Sequence, residues 1–367
     1  MRICYLANAS SIHTHKWVRY FVEKGHEVHV ISFENGQIEG TTVHTLKLPV
    51  LVRSATFPLK LASIYRMKML IRNIKPDVLH AHYVTNYGLF GALCNYKPFV
   101  LTALGSDILS VQTESPLIRG IKKLIKTYVV KNADIVTVDS RSLMKEIIKF
   151  GAPLEKVKII SHGVSLNEFN PNKKFSLFKK NLKIPPESQV VTSTRNLEKV
   201  YDVETVIKAI PNVIKVKPNV HFLVIGEGTQ KKYLQKIANS LNVQKYVTFV
   251  GKIPNEEVAK FLANSNIYVS TSLSDSTSVS LLEAMAAQLP AVVTDIEGNR
   301  EWIKNGENGF VIPKSNPEIL AEKIGLLLDD EKTAEKFGAC NRKIVEEKAN
   351  YNKEMAKVVK IYEQITA

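Results

Sequence analysis

Short runs of β-branched and apolar residues recur along the chain, and each is followed by a longer stretch with helical spacing. Parallel strands cannot be joined by tight turns and need a crossover, usually a helix, so this alternation constrains the chain to parallel α/β sheets. In the first half the strand candidates are Arg2–Leu6, Glu27–Ser32, Val43–Leu46, Val78–His82, Phe99–Ala103, Ile135–Val138 and Val157–Ser161. The stretch Asn170–Gln189, with Lys-rich patches and Pro185-Pro186, has the composition of a linker. A second series follows: Val190–Thr194, His221–Gly226, Val247–Val250, Ile267–Thr271, Ala291–Thr294 and Gly309–Ile312. Helical patterns such as Val203–Val216 and Lys231–Leu241 fall between them. At 367 residues the chain fits two cores better than one. The expectation is two doubly wound, Rossmann-like α/β domains, residues 1–172 and 185–350, each binding ligand at the carboxyl ends of its strands and facing the other across a cleft.

Charge divides the halves. Residues 1–180 carry 26 Lys and Arg against 12 Asp and Glu, and the remainder carries 24 against 23. Much of the excess lies on Leu59–Lys75 (Lys60, Arg66, Lys68, Arg72, Lys75) and on Leu117–Lys131 (Arg119, Lys122, Lys123, Lys126, Lys131). Apolar residues at helical spacing separate the cations, the pattern of a basic amphipathic helix. A solvated helix face and a contact with anionic lipid headgroups or a lipid-phosphate substrate both fit. Nucleic acid is the third reading and comes last, because no helix-turn-helix, zinc finger or RNP-like aromatic motif accompanies the charge. No apolar run approaches the roughly 18 residues of a membrane span, and Met1–Asn8 reads as a first buried strand rather than a signal segment. Cys4, Cys94 and Cys340 are widely spaced with no C-x-x-C pairing, which fits reduced thiols in a cytoplasmic protein.

The chemistry concentrates where strands end. Asp275 and Glu283 stand eight positions apart around Ser276-Thr277-Ser278, a run of N-cap residues before the helix-forming stretch Leu281–Ala287. A helix starting there aims free N–H groups and its positive dipole end back at the turn, an anion site, and a carboxylate in its first turns can accept from both hydroxyls of a diol. An ordinary capped helix with two solvated acids fits the same spacing. Arg195, after Val190–Thr194, and Lys199 could neutralise a diphosphate or be plain loop cations. Gly226-Glu227-Gly228 permits close approach of a ligand or makes a tight turn. In the first half, Ser10, Ser11, His13, His15 and Lys16 follow strand one and offer groups for an acceptor hydroxyl, phosphate or sugar. His82 closes a strand and could reach the cleft, while His80 packs between layers. Asp107, in Gly105-Ser106-Asp107, caps a helix or binds a hydroxyl. No Cys or Glu stands at ligand spacing from His13/His15 or His80/His82, so no metal site is expected. The absence of an Asp-x-Asp motif, Walker loop, G-x-S-x-G elbow or Cys/His dyad argues against metal-dependent nucleotide chemistry and against hydrolases.

Taken in order, these pieces resemble the family 4 retaining glycosyltransferases, which have the GT-B fold. The likeness spans almost the whole chain. It runs through Gly25-His-Glu-Val28, Asp77-Val-Leu-His-Ala-His82, Gly105-Ser-Asp107, His162-Gly-Val164 and Phe169-Asn-Pro171. It continues with Arg195…Glu198-Lys199, Val224-Ile-Gly-Glu-Gly228, Phe249-Val-Gly251, Glu283-Ala-Met-Ala286, Gly298-Asn-Arg-Glu301 and Asn305–Phe310. The resemblance implies transfer of a sugar from a nucleotide-diphosphate donor (UDP- or GDP-linked) with retained anomeric configuration, no cofactor and no essential metal. It implies that Glu283 holds the ribose hydroxyls and that Asp275 takes the place of the first acid of an E-x7-E pattern. Arg195 and Lys199 would bind the diphosphate and stabilise its departure. Ser276, Thr277, Ser278 and Val279 would present backbone N–H groups to sugar and phosphate, with Gly226 close to the donor and Ile253 near the base. The segment 351–367 resembles the helix that crosses back onto the first domain.

Four departures stand out: Asp275 is shorter than Glu, Ser276-Thr277-Ser278 replaces Gly-Phe-Gly, and Arg195 and Lys199 are one residue closer than usual, with Val200 where Gly is common. Finally, Leu104 replaces a donor-contacting His, and Ser11–His15 replaces a Gly-Gly loop. The Asp-Ser-Thr-Ser-Val and Gly-Asn-Arg-Glu-Trp variants are similar to a surface-polysaccharide branch of the family. The implied acceptor is a saccharide or lipid-phosphate-linked sugar, reached from the cytoplasmic face of an anionic membrane through the basic first domain. A nucleotide-sugar epimerase and a non-catalytic sugar- or lipid-binding subunit are the rival readings.

Overall fold

Sandwiching a parallel sheet between helices buries both faces of every strand, which is why these strands read as continuous apolar runs rather than alternating ones. The computed structural model describes residues 1–46, 61–105, 107–108 and 115–367, without the side chains of Leu61 and Ala62. Leu59, Lys60 and Ser106, named above, lie outside the described residues. Two units emerge, Met1–Ile160 with Met355–Ala367, and Ser161–Glu354.

The first unit is built on β1 (Arg2–Leu6), β2 (Glu27–Ser32), β3 (Thr42–Thr45), β4 (Val78–His82), β5 (Phe99–Thr102), β6 (Ile135–Val138) and β7 (Val157–Ile159). All pairings are parallel, in the order β3-β2-β1-β4-β5-β6-β7. The order reverses between β1 and β4. Leu6, Ile31, Leu79, Leu101 and Val136 carry the core on one side of the sheet, packed by Met67 and Ile71 of the helix Leu61–Ile74, the helix Tyr87–Cys94, and Val129 and Val130 of the helix Pro116–Asn132. The opposite side holds a polar seam. His80 Nε2 lies 2.6 Å from Thr102 Oγ1, which is 2.6 Å from Thr137 Oγ1. His80 Nδ1 pairs with the Tyr362 hydroxyl, itself 3.1 Å from the Tyr5 hydroxyl. Tyr362 belongs to the last helix, Tyr351–Thr366, and stacks on Phe21. Burial, with the neighbouring His82, pushes the His80 imidazole well below its ordinary pKa, so it is neutral and serves the seam as one donor and one acceptor.

The second unit has β8 (Gln189–Ser193), β9 (Val220–Ile225), β10 (Val247–Gly251), β11 (Ile267–Ser270), β12 (Ala291–Thr294) and β13 (Gly309–Ile312), again parallel, in the order β10-β9-β8-β11-β12-β13. Here the reversal falls between β8 and β11. The structure differs from the sequence reading in several places, and the first unit ends at Ile160 rather than at 172. The stretch taken as a linker belongs to the second unit: Phe178 and Ile184 are buried against Val190 and Leu223, since two apolar side chains in a basic segment have somewhere to go. Lys126 is no part of a basic face, because it turns inward, donates to the Ile108 carbonyl at 3.1 Å and lies over the Phe150 ring.

Candidate active site

In a doubly wound sheet, the loops leaving the two strands at the reversal point turn to opposite faces and leave a crevice at their carboxyl ends. In the second unit those strands are β8 and β11, and their loops carry Arg195 and Asp275. Arg195 is buried, 8% exposed. Its Nη2 donates to Asp275 Oδ2 at 2.6 Å, and its Nη1 donates to Ser278 Oγ at 2.6 Å and to Ser280 Oγ at 3.0 Å. Its guanidinium carbon stands 4.1 Å from the centre of the Tyr201 ring. Burial opposes the charge on Arg195, but Asp275 with Tyr268 and Tyr201 together outweigh it, and the guanidinium pKa is held above its usual range. Its Nε is buried with no acceptor among the described residues.

Ser278 links this cation to a helix. It is the N-cap of Val279–Ala286, and its Oγ accepts from Leu281 N at 3.3 Å. Guanidinium and helix N-terminus, two sources of positive potential, therefore meet at one side chain. At the far end of the helix, Arg342 Nη1 donates to the Ala286 carbonyl at 2.6 Å, a cation where the dipole is negative. Glu283 lies in the second turn and is buried, as is every residue of that helix after the half-buried Val279. Ser276 and Thr277 are also buried, and Ser276 N donates to Asp275 Oδ1 at 3.0 Å.

The surrounding loops interlock. Leu273 N donates to the Val200 carbonyl, and Thr271 Oγ1 to the carbonyls of Tyr201 and Asp202, which joins the β11 loop to the β8 loop. The two glycines after β9 are explained by close approach. A Cβ on Gly226 would lie 2.5 Å from the Arg195 carbonyl oxygen, and one on Gly228 2.4 Å from that of Leu197. Gly226 also has φ +146°, so the pair seats the Arg195 loop. Glu198 clamps the same loop by accepting from Thr229 N and Thr229 Oγ1. Lys199 is exposed at the start of the turn Lys199–Tyr201 and lines a cavity of about 500 Å³ with Asp202, Thr205, Lys208, Gln230 and Ser315. Arg195, Asp275 and Glu283 do not line that cavity. Ile253, half-buried, follows β10.

The first unit has its own reversal point, at β1 and β4. Asn8 organises the loop after β1: its Oδ1 accepts from Ser10 N and Ser10 Oγ, both at 2.8 Å. Ser11 precedes the helix Ile12–Glu23 without a side-chain cap bond, and His15 Nε2 pairs with the Ala9 carbonyl at 2.7 Å. His13 and Lys16 are half-buried on the same helix. His82 is buried rather than open at the strand end, with the rings of His80, Trp17 and Tyr5 at 5.0, 5.3 and 5.5 Å. Asp107 is a strap between loops: its two oxygens accept from Val84 N at 2.5 Å and Leu104 N at 3.1 Å. Burial raises its pKa despite those bonds.

Sequence reasoning brought Arg195, Asp275 and Ser278 to one site but missed Tyr201, Ser280 and Tyr268, whose hydroxyl lies 2.9 Å from Ser280 Oγ. No spacing rule marks them, because a β11 residue and a turn after β8 meet only in the folded sheet. Among the described residues, no group of three or more His, Cys, Asp and Glu is placed to hold a metal ion. No helix there is long and apolar enough to cross a membrane.

Comparison with known proteins identifies the arrangement. Residues 2–140 match the family model described as glycosyl transferase 4-like, and residues 174–344 the one described as glycosyl transferases group 1. A glycosyltransferase of Methanocaldococcus jannaschii is 26% identical, over 96% of this chain and 93% of its own. The alpha-monoglucosyldiacylglycerol synthase of Acholeplasma laidlawii is 25% identical, over 81% and 82%. Among solved structures, Anabaena HepE in complex with UDP-glucose superposes with a TM-score of 0.80 at 18% identity, over 99% of this chain and 100% of that one. With two parallel-sheet α/β units and both family models in sequence, the chain belongs to the group 1, family 4-like glycosyltransferases of the GT-B fold and is a glycosyl-transferring enzyme.

Proposed function

We propose that this enzyme moves a sugar, with retention, from a UDP- or GDP-linked donor to a saccharide or lipid-linked acceptor in cell-surface polysaccharide or glycolipid synthesis. The observation that carries the donor reading is the meeting of Arg195 with a helix N-terminus at Ser278, with an Arg195 Nε–H that is buried and has no acceptor among the described residues. Buried donors are almost always satisfied, so an unanswered one beside a positive helix end fits an anionic ligand oxygen. The HepE complex with UDP-glucose supports a nucleotide-sugar on this fold.

In this reading the bond between anomeric carbon and phosphate oxygen breaks first. Charge growing on the diphosphate is met by Arg195, the helix end and exposed Lys199. The acceptor hydroxyl enters on the face the diphosphate leaves, its proton passing to the departing phosphate oxygen, which gives retention without a dedicated protein base. Glu283 accepts from the ribose hydroxyls, Ser276 to Val279 face sugar and phosphate, and Ile253 lies by the base. The polar loop Ser10–Lys16 of the first unit takes the acceptor.

For the acceptor, the diacylglycerol named in the Acholeplasma relative supports a lipid, and the surface of the first unit supports an anionic membrane. The helix Pro116–Asn132 exposes Leu117 (73%) and Leu124 (72%) with Ile118, Ile121 and Tyr128, among Arg119, Lys122 and Lys123. The helix Leu61–Ile74 exposes Tyr65 (69%) beside Arg66 and Arg72. Cations flanking exposed apolar side chains suit a bilayer interface.

Release of UDP or GDP from a panel of sugar donors by the isolated enzyme tests the donor reading. Arg195→Ala is expected to lower turnover by roughly 10²–10³-fold, as for loss of one charge-stabilising donor. A variant with near full turnover would remove Arg195 from the chemistry.

A further inference from the structure

The in-plane contacts of Arg195 fix two of its three nitrogens: Nη2 on Asp275 and Nη1 on Ser278 and Ser280. These bonds hold the guanidinium by its edge and leave its flat faces to other contacts. One such contact is Tyr201, over whose ring the guanidinium carbon stands, 4.1 Å from the ring centre. The ring is a rigid shelf. It packs against the core of the second unit. Its backbone is held by Thr271 Oγ1 on the Tyr201 carbonyl, and its turn by Leu273 N on the Val200 carbonyl.

We propose that Tyr201 is a positioning residue for catalysis: its aromatic face orients Arg195 so that the guanidinium meets the diphosphate of the donor. This rests on the reading of Arg195 as the diphosphate clamp. The chemistry needed from Tyr201 is a flat π face and not its hydroxyl, because a cation over a ring is attracted by the ring quadrupole. Flat stacking also suits arginine better than lysine. Ser280 assists in the plane. Its Oγ meets Arg195 Nη1, the Tyr268 hydroxyl at 2.9 Å and Ser278 Oγ at 3.0 Å, so one side chain ties the cation to β11 and to the helix cap.

The test compares Tyr201→Phe, Tyr201→Leu and Tyr201→Met in the full chain, with Arg195→Ala alongside. Binding of UDP and, separately, GDP is measured by calorimetry, thermal melting is recorded, and turnover is followed with the donor whose nucleotide the enzyme releases. Tyr201→Phe is expected to stay within about twofold of wild type in both binding and turnover. Tyr201→Leu and Tyr201→Met, which fill the space without a π face, are expected to lose about tenfold or more in turnover, within the range of a desolvated cation–π contact. Rescue by Phe at an equal melting temperature separates orientation from packing, and Met serves if Leu does not fold. If Leu and Met turn over like wild type while Arg195→Ala is crippled, the inference falls and the clamp reading stands. If Arg195→Ala binds and turns over normally, the clamp reading itself falls and takes the inference with it.

Discussion

At the scale of single residues, Asp275 illustrates how position and role separate. Its carboxylate reaches Arg195 Nη2 at 2.6 Å, so one function of the shorter acid is to hold the cation charged inside the fold. A buried cation left without its partner is costly, which makes the pair interdependent. Gly298 controls where Asp275 stands. A Cβ there would lie 1.7 Å from the Ser276 carbonyl oxygen and 2.8 Å from that of Asp275, both backbone atoms that cannot swing aside. Gly298→Ala is therefore expected to destabilise the protein by about 1–3 kcal/mol, the range for forced overpacking, and to lower turnover by moving Asp275 off Arg195. Urea unfolding and a turnover assay on the same preparation check this. Wild-type values in both would show that the loop has room the geometry denies.

At the scale of elements, the helix Pro116–Asn132 combines an exposed first half with a second half anchored in the core. Val129 and Val130 are buried in the first unit's core, while the stripe Leu117, Ile121, Leu124 and Tyr128 is exposed. Substituting an exposed side chain usually changes stability by under about 0.5 kcal/mol. Burying a leucine in an apolar phase is worth about 1.5–3 kcal/mol. The double change Leu117→Ser with Leu124→Ser should therefore leave unfolding unaltered. It should lower partitioning onto phosphatidylglycerol vesicles by at least about tenfold, read by co-sedimentation. The apolar ridge also predicts that salt weakens vesicle binding without abolishing it, since screening acts on the charges alone. Equal binding by the double variant would exclude this helix as the contact.

At the scale of the molecule, the chain returns to its beginning. Tyr362 joins Tyr5 and His80 in a buried seam that extends through Thr102 to Thr137, so residues from both ends of the sequence satisfy one another's polar groups. Removing that hydroxyl takes away the partner of the buried His80 Nδ1. Tyr362→Phe is thus expected to cost about 1–3 kcal/mol, measured by urea unfolding, although the aromatic stack on Phe21 survives. A change below about 0.5 kcal/mol would mean that the seam re-forms without it.

Much of this protein was legible in its sequence because the relevant physics is local. Strand runs buried on both faces, crossover helices between them and the N-cap run ending in Ser278 each depend on a few adjacent residues, and they specify two doubly wound sheets with an anion-favouring helix end after β11. Arg195, Asp275 and Ser278 were readable for the same reason, as polar residues at strand ends. What only the tertiary structure decided involves partners far apart in the chain. Tyr201 beneath Arg195, Ser280 and Tyr268 behind it, Gly226 against the Arg195 carbonyl, Asp107 strapping Val84 to Leu104 and Lys126 turned inward all depend on which strands become neighbours and how closely their loops approach. Local spacing cannot specify those distances. The order of the strands, with its reversal between β8 and β11, is what brings the residues together.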